Sequence, residues 1–284
     1  MNVSAQGLVA LPETETLRLE LKDHALFITL NRPQARNAMS LQMVHELMAV
    51  FDACAQQKSI RAMVLRGEGG HFCAGGDIKD MANARGAMGK SAETGKDPFY
   101  ELNRAFGRLI TQANAAPQVV ICVLEGAVLG GGFGLACVSD VAITLKSAQF
   151  GLPETGLGIP PAQIAPFVVS RIGLTQARRL ALLGARFDGE EAVKLGIAHE
   201  VADTTEALEA QLQNILAQVK RCGPEANMTT KALMLAATRE DLESLLDRAA
   251  RSFSQAVQGK EGQEGTMAFI QKRLPAWAQS TNEQ

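Results

Sequence analysis

The stretch QVVICVLEGAVLGGGFGLACVSDVAITL, residues 118–145, decides the fold class. QVVICVLEG (118–126) is a short apolar run rich in β-branched residues and closed by glycine, which suits a strand covered on both faces. LGGGFGLACVSD (129–140) reads as a glycine turn that opens a short helix, and VAITL follows as another strand. Upstream, the apolar AMVLRG (62–67) runs into a second glycine-rich turn, GEGGHFCAGGD (67–77). Strand, glycine turn and helix in repetition predict an α/β architecture.

Working outward, residues 18–30 alternate apolar and polar side chains about Asp23-His24 and predict a hairpin. Asn31-Arg32-Pro33 ends the second strand, and Ser40 caps an amphipathic helix carrying Leu41, Val44, Leu47, Met48 and Phe51. Residues 81–98 are poor in apolar side chains and are expected to form a mobile loop or short helical excursion. Phe99, Leu102, Phe106, Leu109 and Ile110 recur at helical spacing over 99–114. From residue 162 helical periodicity dominates 162–184, 188–195 and 204–273, with Gly173, Gly184, Gly196 and Gly223-Pro224 as expected stops. The division expected is a core over residues 1–200 and a helical layer over 201–284.

Lys plus Arg number 28 and Asp plus Glu 30 in 284 residues, so the net charge is −2. That balance argues against a nucleic-acid footprint. Five cysteines without a CxxC pair suit a reducing, cytoplasmic setting with thiols used as core residues. No apolar run reaches the ~20 residues of a membrane span, and the N-terminus lacks the pattern of a signal or transit peptide.

GGGFG (130–134) lacks the GxGxxG spacing, the four histidines are scattered, and there is no GxSxG elbow. Dinucleotide, metal and covalent acyl chemistry are therefore unsupported. Two glycine turns remain, 71–77 and 128–134, each following a strand and opening a helix. They are either tight turns and nothing more, or backbone N–H groups presented to a ligand oxygen; spacing does not choose. Glu154, in AQFGLPETGLGIPP (148–161), is likewise either a solvated cap or a carboxyl among apolar residues with a raised pKa.

NRPQARNAMS (31–40), FCAGGDIKDM (72–81), GAVLGGGFGLACVSD (126–140), AQFGLPETGLGIPP (148–161), GEEAVKLGIAHEV (189–201) and EGTMAFIQKR (264–273) together resemble the crotonase, or enoyl-CoA hydratase/isomerase, superfamily over residues 15–277. The resemblance implies a ββα spiral core, a C-terminal helical trimerisation region, and a homo-oligomer that is a trimer or a dimer of trimers. It also implies an acyl-CoA thioester substrate, with CoA part of that substrate and no separate cofactor. Its carbonyl oxygen would be held by the N–H groups of Gly76 and Gly131. Ala74 and Lys79 match positions near the nucleotide, and Phe253, Phe269 and Lys272 match positions that cover CoA in the same or a neighbouring subunit.

Hydratases of this family carry two glutamates, whereas this chain has Glu154 at one position and Gly134 at the other. Glycine there is expected to leave space free. GLPETGLGIPPAQIAPFVVSRIG (151–173) is most similar to hydratases of 3-methylglutaconyl-CoA and isohexenylglutaconyl-CoA, which serve leucine and terpene catabolism. Hydration of such a branched or glutaconyl-type 2-enoyl-CoA is the function implied. A Δ3,Δ2-enoyl-CoA isomerase with the same residues, or a non-catalytic acyl-CoA-binding protein of this fold, are the alternatives. Residues 81–98 are expected to cover the acyl end, with Arg85 and Lys90 as candidate cations for a second substrate carboxylate.

Overall fold

The computed structural model describes residues 10–94 and 97–279, except the side chains of 88–94. β1 (Leu17–Lys22) and β2 (Ala25–Leu30) form the expected antiparallel hairpin, with Leu17 opposite Leu30. α1 (Leu41–Cys54) follows, its first turn capped by the Ser40 hydroxyl, which accepts from the Met43 N–H. Then come β3 (Ala62–Gly67), α2 (Ile78–Thr94), α3 (Pro98–Ala115), β4 (Val119–Leu124), β5 (Ala127–Leu129), α4 (Gly131–Val138), β6 (Val141–Leu145) and β7 (Gln149–Gly151). α5 (Ala165–Leu183), β8 (Arg186–Phe187), α6 (Gly189–Lys194) and β9 (Glu200–Ala202) complete the mixed region. α7 (Thr205–Arg221), α8 (Pro224–Ala236), α9 (Leu242–Gln258) and α10 (Lys260–Ile270) close the chain.

One sheet runs β1-β2-β3-β4-β6-β9, parallel from β2 onward, and a small second sheet runs β5-β7-β8. The inner strands β2, β3, β4 and β6 read as nearly continuous apolar runs because both of their faces are buried. Met63 and Leu65 of β3, with Val120, Cys122 and Leu124 of β4, join the larger core under α1, α3, α4 and α5. Their neighbours Ala62, Val64, Ile121 and Val123 turn to the opposite face and meet Leu208, Leu212 and Ile215 of α7. Four of the five cysteines are buried and Cys222 is exposed.

Two sequence expectations need correction, the form of residues 81–98 and the end of the core at residue 200. Residues 81–98 are no short excursion: α2 runs through to Thr94, although Ala and Gly dominate its composition. Gly173 leaves helical geometry (φ 75°, ψ 159°) and, as expected, stops one helical stretch before the next begins within α5. β8 and β9 fall in the gaps between the helical stretches expected after residue 162, and at two and three residues they are too short to show a period of their own. β9 puts residues 200–202 in the main sheet and α7 packs on that sheet, so the core extends past residue 200.

Arg61, at the entrance to β3, is 7% exposed. Its guanidinium donates to the carbonyls of Val219, Lys220 and Cys222 at the end of α7, and to that of Trp277. These four acceptors fasten the helical end of the chain to the sheet.

Candidate active site

The first glycine turn is built on the loop 31–40. Arg36 and Asn37 adopt left-handed backbone conformations, and the buried Asn37 amide donates to the carbonyls of Glu68 and His71 while accepting from the Arg32 N–H. Arg32 donates to the Ala38 carbonyl and to Asp77 Oδ2, both at 2.6 Å. Asp77 Oδ1 accepts from the Lys79 N–H at 2.8 Å. Burial works to raise the Asp77 pKa, but the Arg32 hydrogen bond, the Lys79 N–H and the two cationic charges outweigh it and hold the carboxyl below its ordinary range. Met39 pairs with Gly76 as an isolated parallel bridge, through Met39 N–H to Gly75 O and Asp77 N–H to Met39 O. In a parallel bridge the bonds go to the flanking residues, so the N–H of Gly76 faces away from Met39. It meets no acceptor among the described residues.

The second turn is set by pairing in the small sheet. Leu129 is in register with Gly151, and the Gly130 N–H donates to the Gly151 carbonyl at 3.1 Å. Gly130 has φ 49° and ψ −114°, which glycine adopts without strain. A Cβ there would also stand 2.7 Å from Glu154 Oε1 and 3.4 Å from Gly75 Cα. Gly131 opens α4, so its N–H has no intrahelical acceptor. None is found elsewhere among the described residues. The two turns touch through Cys73 and Val128, which form a second isolated bridge. α4 is wedged in place by Phe133, edge-on to Phe150 and Phe187, with ring centroids 6.5 and 6.1 Å away.

Glu154 begins a 3-10 turn, Glu154–Leu157, that is held to α5 by the Thr155 hydroxyl donating to the Ala181 carbonyl at 2.8 Å. It is half-buried, and its buried Oε2 has no partner among the described residues. Desolvation raises its pKa above the ordinary glutamate range, against a smaller opposing pull from its own N–H. Its Oε2 is thus withdrawn from solvent, as a freely solvated cap would not be.

The remaining expectations separate. Gly134 does not leave space: a methyl group there would overlap Ile164 and come within 3.0 Å of Ile110 Cδ1. The space a side chain at position 134 would need is filled by hydrocarbon from α3 and from the start of α5. Phe106 stands over Gly131, its ring 3.3 Å from where a Cβ would be. Phe106 was legible only as one apolar position in a helical repeat; Ile110, Ile164, Arg32 and Asp77 gave no signal of a role beyond their place in quoted segments. Ala74 is half-buried, with its N–H bonded to the Arg36 carbonyl, and Lys79 is exposed beside the first turn. Phe253 and Phe269, on α9 and α10, are 72% and 85% exposed, so within one chain they cover nothing. Lys272 follows α10 in a left-handed conformation, its N–H donating to the Phe269 carbonyl. Arg85 is exposed, and the Lys90 side chain lies outside the described residues. No described helix is long and apolar enough to cross a membrane.

Comparison with known proteins agrees with this geometry. The enoyl-CoA hydratase/isomerase family model matches residues 20–280. The structure of Pseudomonas aeruginosa AtuE superposes with a TM-score of 0.90 at 62% identity, covering 93% of this chain and all of that one. The enoyl-CoA hydratase ACTT6 of Alternaria alternata is 31% identical over 85% of this chain and 77% of its own length. The 2,3-dehydroadipyl-CoA hydratase of Escherichia coli K12 is 29% identical over 89% of this chain and 95% of its own. With two free N–H groups, a desolvated glutamate and this match along nearly its whole length, the chain belongs to the enoyl-CoA hydratase/isomerase family and is an enzyme of the enoyl-CoA hydratase type.

Proposed function

We propose that the protein hydrates a 2-enoyl-CoA whose acyl group is branched or of glutaconyl type, using Glu154 as its single protein acid/base. The observation that carries this reading is the unpartnered, desolvated Glu154 carboxyl beside Gly130, together with Ile110 and Ile164 filling the space a side chain at position 134 would need. The thioester carbonyl accepts from the N–H groups of Gly76 and Gly131, so the enolate formed during addition is stabilised by donors already in place. Glu154 takes one proton from water as the oxygen bonds to C3. The same carboxyl then delivers that proton to C2, and the enolate electrons return to restore the thioester carbonyl. One H–OH has been added and Glu154 is again ionised. A raised pKa favours the first half, because a stronger base accepts from water more readily, and a value moved toward the operating pH leaves the conjugate acid still able to give the proton to C2.

The glutaconyl assignment is supported by the likeness of residues 151–173 to glutaconyl-type hydratases. It is also supported by the E. coli relative, whose dehydroadipyl substrate has a carboxylate distal to the thioester. Ala74 and Lys79 are assigned to the CoA nucleotide. The exposed Phe253 and Phe269 suit a homo-oligomer, a trimer or a dimer of trimers, in which they and Lys272 cover the CoA of a neighbour.

Enoyl-CoA substrates in deuterated water test the reaction. Hydration bleaches the conjugated thioester absorbance and places deuterium at C2. Double-bond migration without hydration would show an isomerase, and CoA binding without turnover a catalytically silent protein. Glu154→Gln is expected to lower turnover ~10²–10⁴-fold while CoA affinity persists. Retention of most activity would overturn the single-glutamate mechanism.

A further inference from the structure

The turn at Gly75 and Gly76 carries almost no packing of its own. Gly75 has φ 104°, and a Cβ on Gly76 would meet nothing within 4 Å, whereas one on Gly131 would lie 3.3 Å from the Phe106 ring. The direction of the Gly76 N–H is therefore set by what joins residues 74–77 to the loop 31–40. Three backbone hydrogen bonds do so, Ala74 N–H to Arg36 O, Met39 N–H to Gly75 O and Asp77 N–H to Met39 O, at 3.0, 2.8 and 3.1 Å. Asp80 of α2 adds a tie to the Leu41 N–H at 2.6 Å.

The Arg32 guanidinium reaches both strands of the Met39–Gly76 bridge. Its Nη1 donates to the carbonyl of Ala38, the residue before Met39, and its Nη2 to Oδ2 of Asp77, the residue after Gly76, each at 2.6 Å. The fork thus lies across the bridged pair, with one prong on each strand. Both side chains are largely withdrawn from water, Arg32 18% and Asp77 8% exposed. Asp77 is oriented from its other oxygen by the Lys79 N–H, and the Arg32 main chain by Asn37 Oδ1, to which its N–H donates at 2.9 Å. Neither of those anchors needs the guanidinium, so a substitution at Arg32 removes the clamp and leaves its supports.

We propose that Arg32 is a positioning residue for the reaction: by clamping Ala38 to Asp77, its guanidinium aims the Gly76 N–H at the thioester oxygen without itself touching substrate. This rests on the assignment of Gly76 and Gly131 as oxyanion donors in the hydratase reading above. A donor that is kept but turned away from the oxygen loses most in the enolate, where charge develops, and little in the ground state. Arginine suits the task because its prongs are fixed in one plane; a lysine ammonium keeps the charge and loses the rigid spacing.

Two readouts test this together: steady-state kinetics with glutaconyl-CoA and crotonyl-CoA, and the infrared band of crotonyl-CoA isotope-labelled at its thioester carbonyl and bound to the Glu154→Gln protein. With Arg32 present the band should fall below its frequency in water. Arg32→Met should move it part of the way back and lower kcat about 10- to 100-fold, with KM changed far less. Arg32→Lys should give a smaller change of the same kind, and it remains informative if the methionine variant fails to fold. Arg18→Met, which breaks the exposed pair with Glu68, should alter neither readout. An unchanged kcat and band in both Arg32 variants overturns the proposal while the hydratase reading stands. So does a kcat that falls only with the folded fraction while the band stays put, for that is a structural role. A rise in KM with kcat intact assigns Arg32 to binding and equally overturns it. A band at its frequency in water with Arg32 present overturns the oxyanion assignment itself, and a wild type that hydrates neither substrate overturns the hydratase reading.

Discussion

The turn at Gly75 and Gly76 is latched by polar side chains: Arg32 on Asp77, Asn37 on two carbonyls, and the Asp80 carboxylate on the Leu41 N–H at 2.6 Å. The turn at Gly130 and Gly131 has almost no such help and is held by hydrocarbon: Phe106 over Gly131, Ile110 and Ile164 against Gly134, and the aromatic trio behind α4. The two N–H groups assigned to one oxygen are thus fixed by unlike forces. The first turn is sensitive to charge, and the second to volume.

The largest effect is expected where the second turn loses its donor. Gly131→Pro keeps a residue type suited to the first helical position but removes the N–H, which should cost ~2.7–4 kcal/mol of transition-state stabilisation. Near-normal kcat in a variant with unchanged circular dichroism would remove Gly131 from the site. Gly134→Ala probes volume at the same turn. Its methyl meets Ile164 and Ile110, so thermal unfolding should show a loss of about 1–3 kcal/mol. Ile164→Ala in the same chain should recover part of that loss; strict additivity would show that the two sites do not touch.

Asp77→Asn probes the first turn and should cost about 1–2 kcal/mol, the lower part of the usual range for a charged hydrogen bond, because Arg32 stays 18% exposed. Asp77 has a depressed pKa, so its contribution is present above the unfolded value near ~3.9 and is lost as pH falls through the folded one. The difference between wild type and variant should therefore be flat at neutral pH and vanish in acid, whereas that of Gly134→Ala should not follow pH. The smallest effect is a displacement of the acid limb of kcat/KM. With Glu154 raised by burial, activity should begin to fall above the ~4.3 of an ordinary glutamate, and this limb should be absent in Glu154→Gln.

Features carried by local chemistry were legible in the sequence. Ser40 preceding an apolar period made α1, and AMVLRG closed by glycine made β3, because capping and two-sided burial leave marks within a few residues. The carboxyl at 154 and both glycine turns could be singled out but not interpreted alone, since their meaning depends on the pairing of β5 with β7 and of Cys73 with Val128. What fills the space at Gly134 was illegible for the same reason. Ile164 lies 30 positions downstream and looks like any aliphatic residue opening a helix. α2 was hidden by composition, for a run of Ala, Gly and Lys carries little period to read.

The Arg61 latch bears on how the chain is made. Its farthest acceptor, the Trp277 carbonyl, lies 216 residues downstream. At ~5–20 residues per second of translation, the guanidinium leaves the ribosome roughly 10–40 s before that carbonyl exists. Until α7 is made, the strands of the nascent parallel sheet must persist, or be shielded, with the face that α7 covers still bare, and Arg61 lacks its last acceptor until residue 277 follows. Truncated products released before residue 277 therefore carry a buried cation missing one of its four acceptors.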